Sequence, residues 1–150
     1  MKRFLFTSII LCLGLLMAIP AVNAQPIREK NKKGHPFLVL NQNQNVLHLK
    51  SYAGIGLYYF DGTTVRMSNA KGAPLYYIDA NTVRSVDKSG EPLLYFDGLN
   101  IREKSIDGPI LYYLDGRVLK RGGAKGEPAY YFEVIPEKWI LTCLVILDRM

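Results

Sequence analysis

An eighteen-residue repeat constrains the fold of this chain more than any other feature. Acidic residues and glycines each recur at this interval, and an aromatic-rich run precedes every acidic residue. The acidic residues are Asp61, Asp79, Asp97, Asp115 and Glu133, and the glycines are Gly54, Gly72, Gly90, Gly108 and Gly126. A degraded earlier copy starts at Gly34. The period is too short for helix-pair repeats and suits two strands of about five or six residues joined by two turns.

The residue types within each unit favour β-hairpins. Tyr, Phe, Leu and Ile fill the run before the acidic residue, and an apolar–basic pair such as Val65-Arg66 follows it. Asp-Gly at 61–62, 97–98 and 115–116 is a tight-turn signal, because glycine tolerates positive φ. We therefore predict a mainly β fold, a closed or nearly closed meander of about eleven strands.

Alternation along the strands assigns the two faces of each hairpin. With a two-residue turn, Tyr58, Phe60 and Val65 share one face, and Tyr59 and Arg66 share the other. The first set recurs as apolar side chains and predicts the core. The second set predicts an outer face on which basic groups lie over Tyr rings. That face consists of Tyr59, Arg66, Tyr77, Arg84, Tyr95, Arg102, Tyr113 and Lys120.

The outer face has two interpretations. Stacked rings and guanidinium groups suit an anionic glycan, a lipid headgroup or the acidic surface of an envelope protein. Alternatively, the pairs only shield the sheet surface. We expect no nucleic acid partner despite the formal net charge of +6, because the chain carries an export signal, described below.

The C-terminal segment is apolar on every side. Residues 139–147 contain one polar side chain, Thr142, and are too few to span a bilayer, so they must be buried. Branched residues favour a strand, whereas Pro136 and Glu137 favour a helix start. A ring of one-sided hairpins needs an apolar centre, so we predict a helix over residues 137–148 that plugs the ring. Whether the first and last strands pair stays open at this stage.

The N-terminus predicts export and one folded domain. Lys2 and Arg3 precede an apolar run over residues 4–19, and small residues at 22 and 24 form a cleavage signal. We predict a signal peptide at residues 1–24, a basic linker at 25–33 and a single domain at 34–150, located in the periplasm or outside the cell. An uncleaved anchor helix is the alternative for the first segment.

The sequence offers no constellation for catalysis. The mature chain keeps one cysteine, Cys143, and two histidines, His35 and His48, which are too few for a typical metal site. The repeated aspartates have a structural reason at hairpin turns, and no nucleophile elbow is present. We predict a non-enzymatic structural or interaction module with no cofactor and no metal. A carbohydrate- or lipid-headgroup-binding module that uses the outer face is the alternative.

The repeated units, of the form G-x-P-L-Y-Y-(I/F/L)-D-(G/A)-x-x-(V/I/L)-R, resemble those of the secreted bacterial five-fold beta-flower proteins. The export signal and the short apolar C-terminal segment add to this resemblance, which covers residues 34–150. It implies hairpins arranged around a central C-terminal helix, in a family with no established activity. A weaker architectural resemblance links the chain to tubby-like barrels, which also enclose an apolar C-terminal helix.

Overall fold

A computed structural model describes residues 23–150 as twelve strands and one helix. The predicted signal peptide, residues 1–24, lies outside the described residues except for its last two. The strands are β1 (Ala24–Glu29), β2 (Pro36–Asn41), β3 (Val46–Leu49), β4 (Gly56–Phe60), β5 (Thr64–Met67), β6 (Pro74–Asp79), β7 (Thr82–Ser85), β8 (Pro92–Asp97), β9 (Asn100–Glu103), β10 (Ile110–Asp115), β11 (Val118–Arg121) and β12 (Pro128–Phe132), and the helix is α1 (Lys138–Leu147).

The strands form a closed antiparallel barrel. Each strand pairs with its neighbours along the chain, and β1 pairs with β12 to close the ring. The prediction of a mainly β, closed meander is confirmed, but it has twelve strands and not about eleven. The additional strand is β1, in the segment 25–33 that was expected to be a linker. Its residues pair on both sides, with β2 and with β12, so the barrel begins at Ala24 and not at Gly34.

The barrel contains six hairpin units, one of which is assembled from the two ends of the chain. Five are continuous: β2–β3, β4–β5, β6–β7, β8–β9 and β10–β11. The sixth, which we call the split hairpin, consists of β12 and β1. Arg28 lies opposite Tyr131 in the split hairpin, as Arg66 lies opposite Tyr59 in a continuous one. The six units therefore share one cross-strand register.

The interior confirms the predicted inner face. Val65, Val83, Ile101 and Leu119 are almost fully buried, and their strand partners pack in the same cluster. Helix α1 lies at the centre of this cluster, with its buried residues spread around all sides. Trp139 stacks on Phe60 with ring centroids 5.3 Å apart. The plug helix was predicted over 137–148, and the structure places it within one residue at each end.

Cys143 of the helix is fully buried. Burial raises the pKa of its thiol well above the ordinary value. The thiol is therefore protonated at neutral pH and packs as a small apolar side chain. In the part of the chain that the structure describes, no helix is long and apolar enough to cross a membrane.

The two ends of the barrel differ. Short turns join the strands of the continuous hairpins at one end, the turn end, and six loops join successive units at the other, the loop end. These loops cover residues 30–35, 50–55, 68–73, 86–91, 104–109 and 122–127. All six repeat one hydrogen-bond pattern and begin with a residue at positive φ. A Cβ on Gly72 would lie 1.7 Å from the carbonyl oxygen of Met67, which explains the repeated glycine.

Candidate functional site

The eight residues of the predicted outer face form four directly opposed cross-strand pairs. Tyr59 faces Arg66, and the other pairs are Tyr77 with Arg84, Tyr95 with Arg102, and Tyr113 with Lys120. The pairs occupy β4 to β11, which are eight of the twelve strands around the ring. They are therefore spread over two thirds of the barrel wall, and a small ligand can contact only one or two adjacent pairs.

The basic side chains of these pairs are engaged by their own units. Arg66 donates from Nε to Asp61 Oδ2 at 3.0 Å and from Nη1 to the Gly72 carbonyl at 3.4 Å. Arg102 makes the equivalent contacts with Asp97 and Gly108. Each of these arginines ties a turn at one end of its unit to a loop at the other end. The barrel wall therefore uses its cations to hold its own backbone.

Two of the four pairs depart from this scheme. Lys120 contacts Asp115 Oδ2 at 2.7 Å and a different loop carbonyl, and Arg84 donates only to the Gly90 carbonyl, at 3.2 Å. The expected stacking of these cations on Tyr rings is not what the structure shows. Within residues 23–150, the cations that lie over aromatic rings are Arg117, over Tyr131, and Lys138, over Phe96.

A polar cluster fastens the C-terminal end of α1 to the barrel. Arg121 donates two hydrogen bonds to the Asp148 carboxylate, at 2.8 and 2.9 Å, and the hydroxyls of Tyr112 and Tyr130 also donate to it. Burial alone would raise the pKa of Asp148, but these hydrogen bonds outweigh it and hold the pKa below its ordinary value. Burial and the bond to Asp148 raise the pKa of Tyr112 to about 12. The Asp148 carboxylate accepts hydrogen bonds at both oxygens, and the two phenols are protonated. Together they hold the helix in place and supply no base or nucleophile at neutral pH.

The β2–β3 hairpin is the irregular unit of the barrel. Asn41 stands where other units have an acidic residue, and His48 stands where they have Arg or Lys. The Asn41 amide donates to Gln44 and Tyr52, and His48 Nδ1 lies 3.0 Å from the Gly54 carbonyl. His48 therefore keeps the contact between strand and loop carbonyl that Arg66 makes, without the ion pair. Asn41 Oδ1 and His48 Nε2 are buried without a partner among the described residues.

The loop end collects a set of exposed lysines that we call the basic rim. Every one of the six loops contributes at least one, and none forms an ion pair within residues 23–150. The basic rim consists of Lys30, Lys32, Lys33, Lys50, Lys71, Lys88, Lys104 and Lys125. The same loops carry four acidic residues, so the loop end has a formal excess of four positive charges.

The turn end has the opposite charge. Six acidic residues lie there against two basic ones, a formal excess of four negative charges. The acidic residues are Asp61, Asp79, Asp97, Asp115, Glu133 and Glu137, and the basic ones are Arg117 and Lys138. Three of the aspartates are paired with cations of the barrel wall. The free positive charge of the molecule is therefore concentrated at the loop end.

The larger surface recesses also open at the loop end, on either side of the end of α1. One, of about 390 Å³, is lined by Lys30, Phe37 and Asp148, and the other, of about 330 Å³, by Lys104 and Met150. A recess at the turn end measures about 100 Å³. The loop end thus combines shape with charge, whereas the cations of the predicted outer face contact carbonyls or carboxylates of their own units.

Sequence reasoning missed the basic rim as a whole, although Lys30, Lys32 and Lys33 lie in the segment that was expected to be a basic linker. Motifs such as Lys71-Gly72 and Lys125-Gly126 were visible but predicted only turns. Only the alternating direction of the strands brings the six loops to one end. Among residues 23–150, no three His, Cys, Asp or Glu side chains come together in a way that suits a metal ion.

No family model, curated protein or solved structure matches this chain. The resemblance to the five-fold beta-flower proteins, and the weaker one to tubby-like barrels, therefore stays a prediction. Functional inference depends on the geometry of the barrel itself.

Proposed function

We propose that the protein is an exported, non-catalytic interaction module that binds an anionic partner surface through its loop end. One observation carries the proposal: among residues 23–150, the eight lysines of the basic rim have no ion-pair partner, while the wall arginines and Lys120 are tied to turns and loops. Like charges gathered on one end of a rigid barrel create a positive potential that attracts anionic surfaces. A closed barrel with a packed centre keeps the six loops in fixed positions.

The carboxylates of Asp148 and Asp61 are both hydrogen-bonded by neighbouring groups, which supports a non-catalytic role. In the described part of the chain, the most buried carboxylate cluster is the one around Asp148, where every oxygen is engaged. The aspartate at 61 accepts from the backbone of its own turn and from Arg66. These carboxylates stabilise the barrel, and this supports binding over hydrolysis as the function.

The outer face remains a second candidate, for an anionic glycan or a lipid headgroup. The observation that favours it is Arg84, which has one carbonyl contact and no acidic partner within residues 23–150, and which faces Tyr77. This site would bind through the middle of the barrel wall. Its charge is a single guanidinium, compared with eight ammonium groups at the loop end.

The two candidates are separated by binding to a sulfated polysaccharide immobilised on a sensor surface. The loop-end variant Lys32→Gln/Lys33→Gln/Lys104→Gln/Lys125→Gln is compared with the wall variant Arg84→Gln. We expect the loop-end variant to lose binding by about tenfold or more in low salt, and the wall variant to change it by less than about twofold. Equal thermal unfolding of the two variants controls for folding. Loss of binding in the wall variant alone would overturn the loop-end proposal.

A further inference from the structure

The loop end exposes apolar side chains beside its lysines. They lie in or next to four consecutive loops, so they cover one continuous sector of the ring. Ile55 is 71% exposed and Ile106 is 53% exposed. The sector consists of Ile55, Met67, Val86 and Ile106, and we call it the apolar sector. The C-terminal Met150, which is 93% exposed, lies at the same end.

Val86 is held in an unfavourable backbone conformation. Its φ is +61°, in the left-handed region that branched side chains avoid. The equivalent positions of the other loops, Lys30, Lys50, Ser68, Lys104 and Gly122, have the same positive φ, so the loop pattern imposes this conformation. Val86 is 49% exposed, so core packing does not explain the valine. Val86 is therefore an apolar side chain exposed at the start of its loop, where the other loops carry Lys, Ser or Gly.

The six loops occupy equivalent positions at one end of the closed ring. Each loop has six residues and repeats the same internal hydrogen bonds, and the loops are distributed around a closed ring. Lysines and apolar side chains therefore occupy a common rim and not separate faces. A rim of this kind presents both kinds of side chain together to an extended surface.

We infer that the loop end docks on the surface of an anionic phospholipid bilayer, with the basic rim at the phosphates and the apolar sector inserted between the headgroups. The inference rests on the proposed function and names its partner. Lysines near an anionic membrane strengthen binding by electrostatic attraction, and inserted apolar side chains add to this by leaving water. A soluble polyanion would use the lysines but would leave the apolar sector in water.

The experiment measures sedimentation of the full chain with phospholipid vesicles. Vesicles of phosphatidylglycerol mixed with phosphatidylcholine are compared with vesicles of phosphatidylcholine alone. The test variant is Ile55→Ser/Ile106→Ser. The matched control is Leu99→Ser, because Leu99 is exposed to 51% but lies in a turn at the opposite end of the barrel.

We expect the wild type to bind the anionic vesicles at least about tenfold more tightly than the neutral ones. The double serine variant should bind them about tenfold more weakly than the wild type, while Leu99→Ser binds as the wild type does. The same proteins are measured on the sulfated polysaccharide, where the double variant should match the wild type.

The outcomes distinguish the inference from the proposed function. If the polysaccharide is bound but anionic vesicles are not, or if the double serine variant binds vesicles as the wild type does, the membrane inference is wrong and the proposed function survives. If neither probe is bound at low salt, both are wrong. Equal effects of Ile106→Ser and Leu99→Ser, each tested alone, would also contradict a loop-end orientation on the membrane.

Discussion

The continuous hairpins and the split hairpin have the same register but are held together differently. In β4–β5, a turn of three residues connects the strands, whereas in β12–β1 the partners come from opposite ends of the chain. The split hairpin nevertheless keeps the basic contact of the other units, because Arg28 donates to the Gly34 carbonyl at 3.2 Å. The repeating unit of this fold is therefore defined by its cross-strand contacts and not by a turn that connects its two strands.

The contacts of the split hairpin are also weaker. Its ion pair joins Arg28 Nε to Glu133 at 3.5 Å, and that nitrogen is buried without a hydrogen bond among the described residues. In the continuous hairpin, Arg66 meets Asp61 at 3.0 Å with a hydrogen bond, and Asp61 also accepts from the turn backbone. Closure at the chain ends is thus the part of the ring that is easiest to open.

The largest effect comes from burying a charge in either kind of hairpin. Val65→Asp places an unpaired carboxylate at a fully buried site between β4 and β6, so we expect loss of the cooperative fold. Ile27→Asp is equally buried but lies on the terminal strand β1, which can leave the ring without displacing another strand. We expect this variant to keep most of its β structure and to become sensitive to trypsin in the loop at 30–35.

Circular dichroism and limited proteolysis followed by mass spectrometry separate these results. The lysines of that loop provide trypsin sites next to β1, so release of the strand gives an early cut near the N-terminus. Wild-type protein should resist cleavage there under the same conditions. If Ile27→Asp unfolds as completely as Val65→Asp, closure is not the weak point and the comparison fails.

A second test uses equivalent glycines in the two regions. A Cβ would lie 1.7 Å from a backbone oxygen at both Gly72, between continuous hairpins, and Gly34, next to β1. We expect Gly72→Ala to lower the free energy of unfolding by about 2–4 kcal/mol, because both flanking strands are fixed. Gly34→Ala should cost less, because movement of β1 relieves the clash, and its effect should appear as faster amide exchange in β1.

Chemical denaturation measures the first effect and hydrogen exchange the second. The control is Gly123→Ala, because a Cβ at Gly123 meets no atom within 4 Å. That variant should leave both measurements near the wild-type values. Equal losses of unfolding free energy for Gly34→Ala and Gly72→Ala would show that β1 is as firmly held as an internal strand.

The sequence predicted the faces and the plug because both follow from local pattern. Alternation along a strand fixes which side chains point inward once a turn is placed, and α1 has no polar side to expose. The strand β1 was missed although its pattern was present: Ile27 precedes Gly34 by seven residues, as Val65 precedes Gly72. Its partner β12 is about a hundred residues away in sequence, so no local pattern predicted the pairing.

The candidate site was less accessible to sequence reasoning. The sequence correctly placed the outer pairs opposite each other. It did not indicate that the arginines of these pairs donate to carbonyl oxygens six residues further along the chain. The basic rim depends on six loops that are adjacent only in the closed ring. One or two lysines in a turn are unremarkable, and their summed charge emerges only from the topology.

The smallest expected effect compares the acidic residues of the two regions. Asp61→Asn removes charge-assisted bonds to Thr63, Thr64 and Arg66, so we expect a loss of about 1 kcal/mol at pH 7. Glu133→Gln weakens only the longer pair with Arg28 and should cost less than about 0.5 kcal/mol.

The pH dependence sharpens this last comparison. Burial alone would raise the pKa of Asp61, but the N–H groups of Thr64 and Thr63 and the Arg66 guanidinium outweigh it and lower the pKa. A carboxyl with a lowered pKa stabilises the fold fully above its unfolded pKa, about 3.9, and loses this contribution as the pH falls through its folded pKa. Denaturation of wild type and Asp61→Asn should therefore differ at pH 7 and converge at the acidic end. If the difference is unchanged in acid, the aspartate acts through its shape and not through its charge. The two kinds of hairpin would then not differ in electrostatic stabilisation at this position.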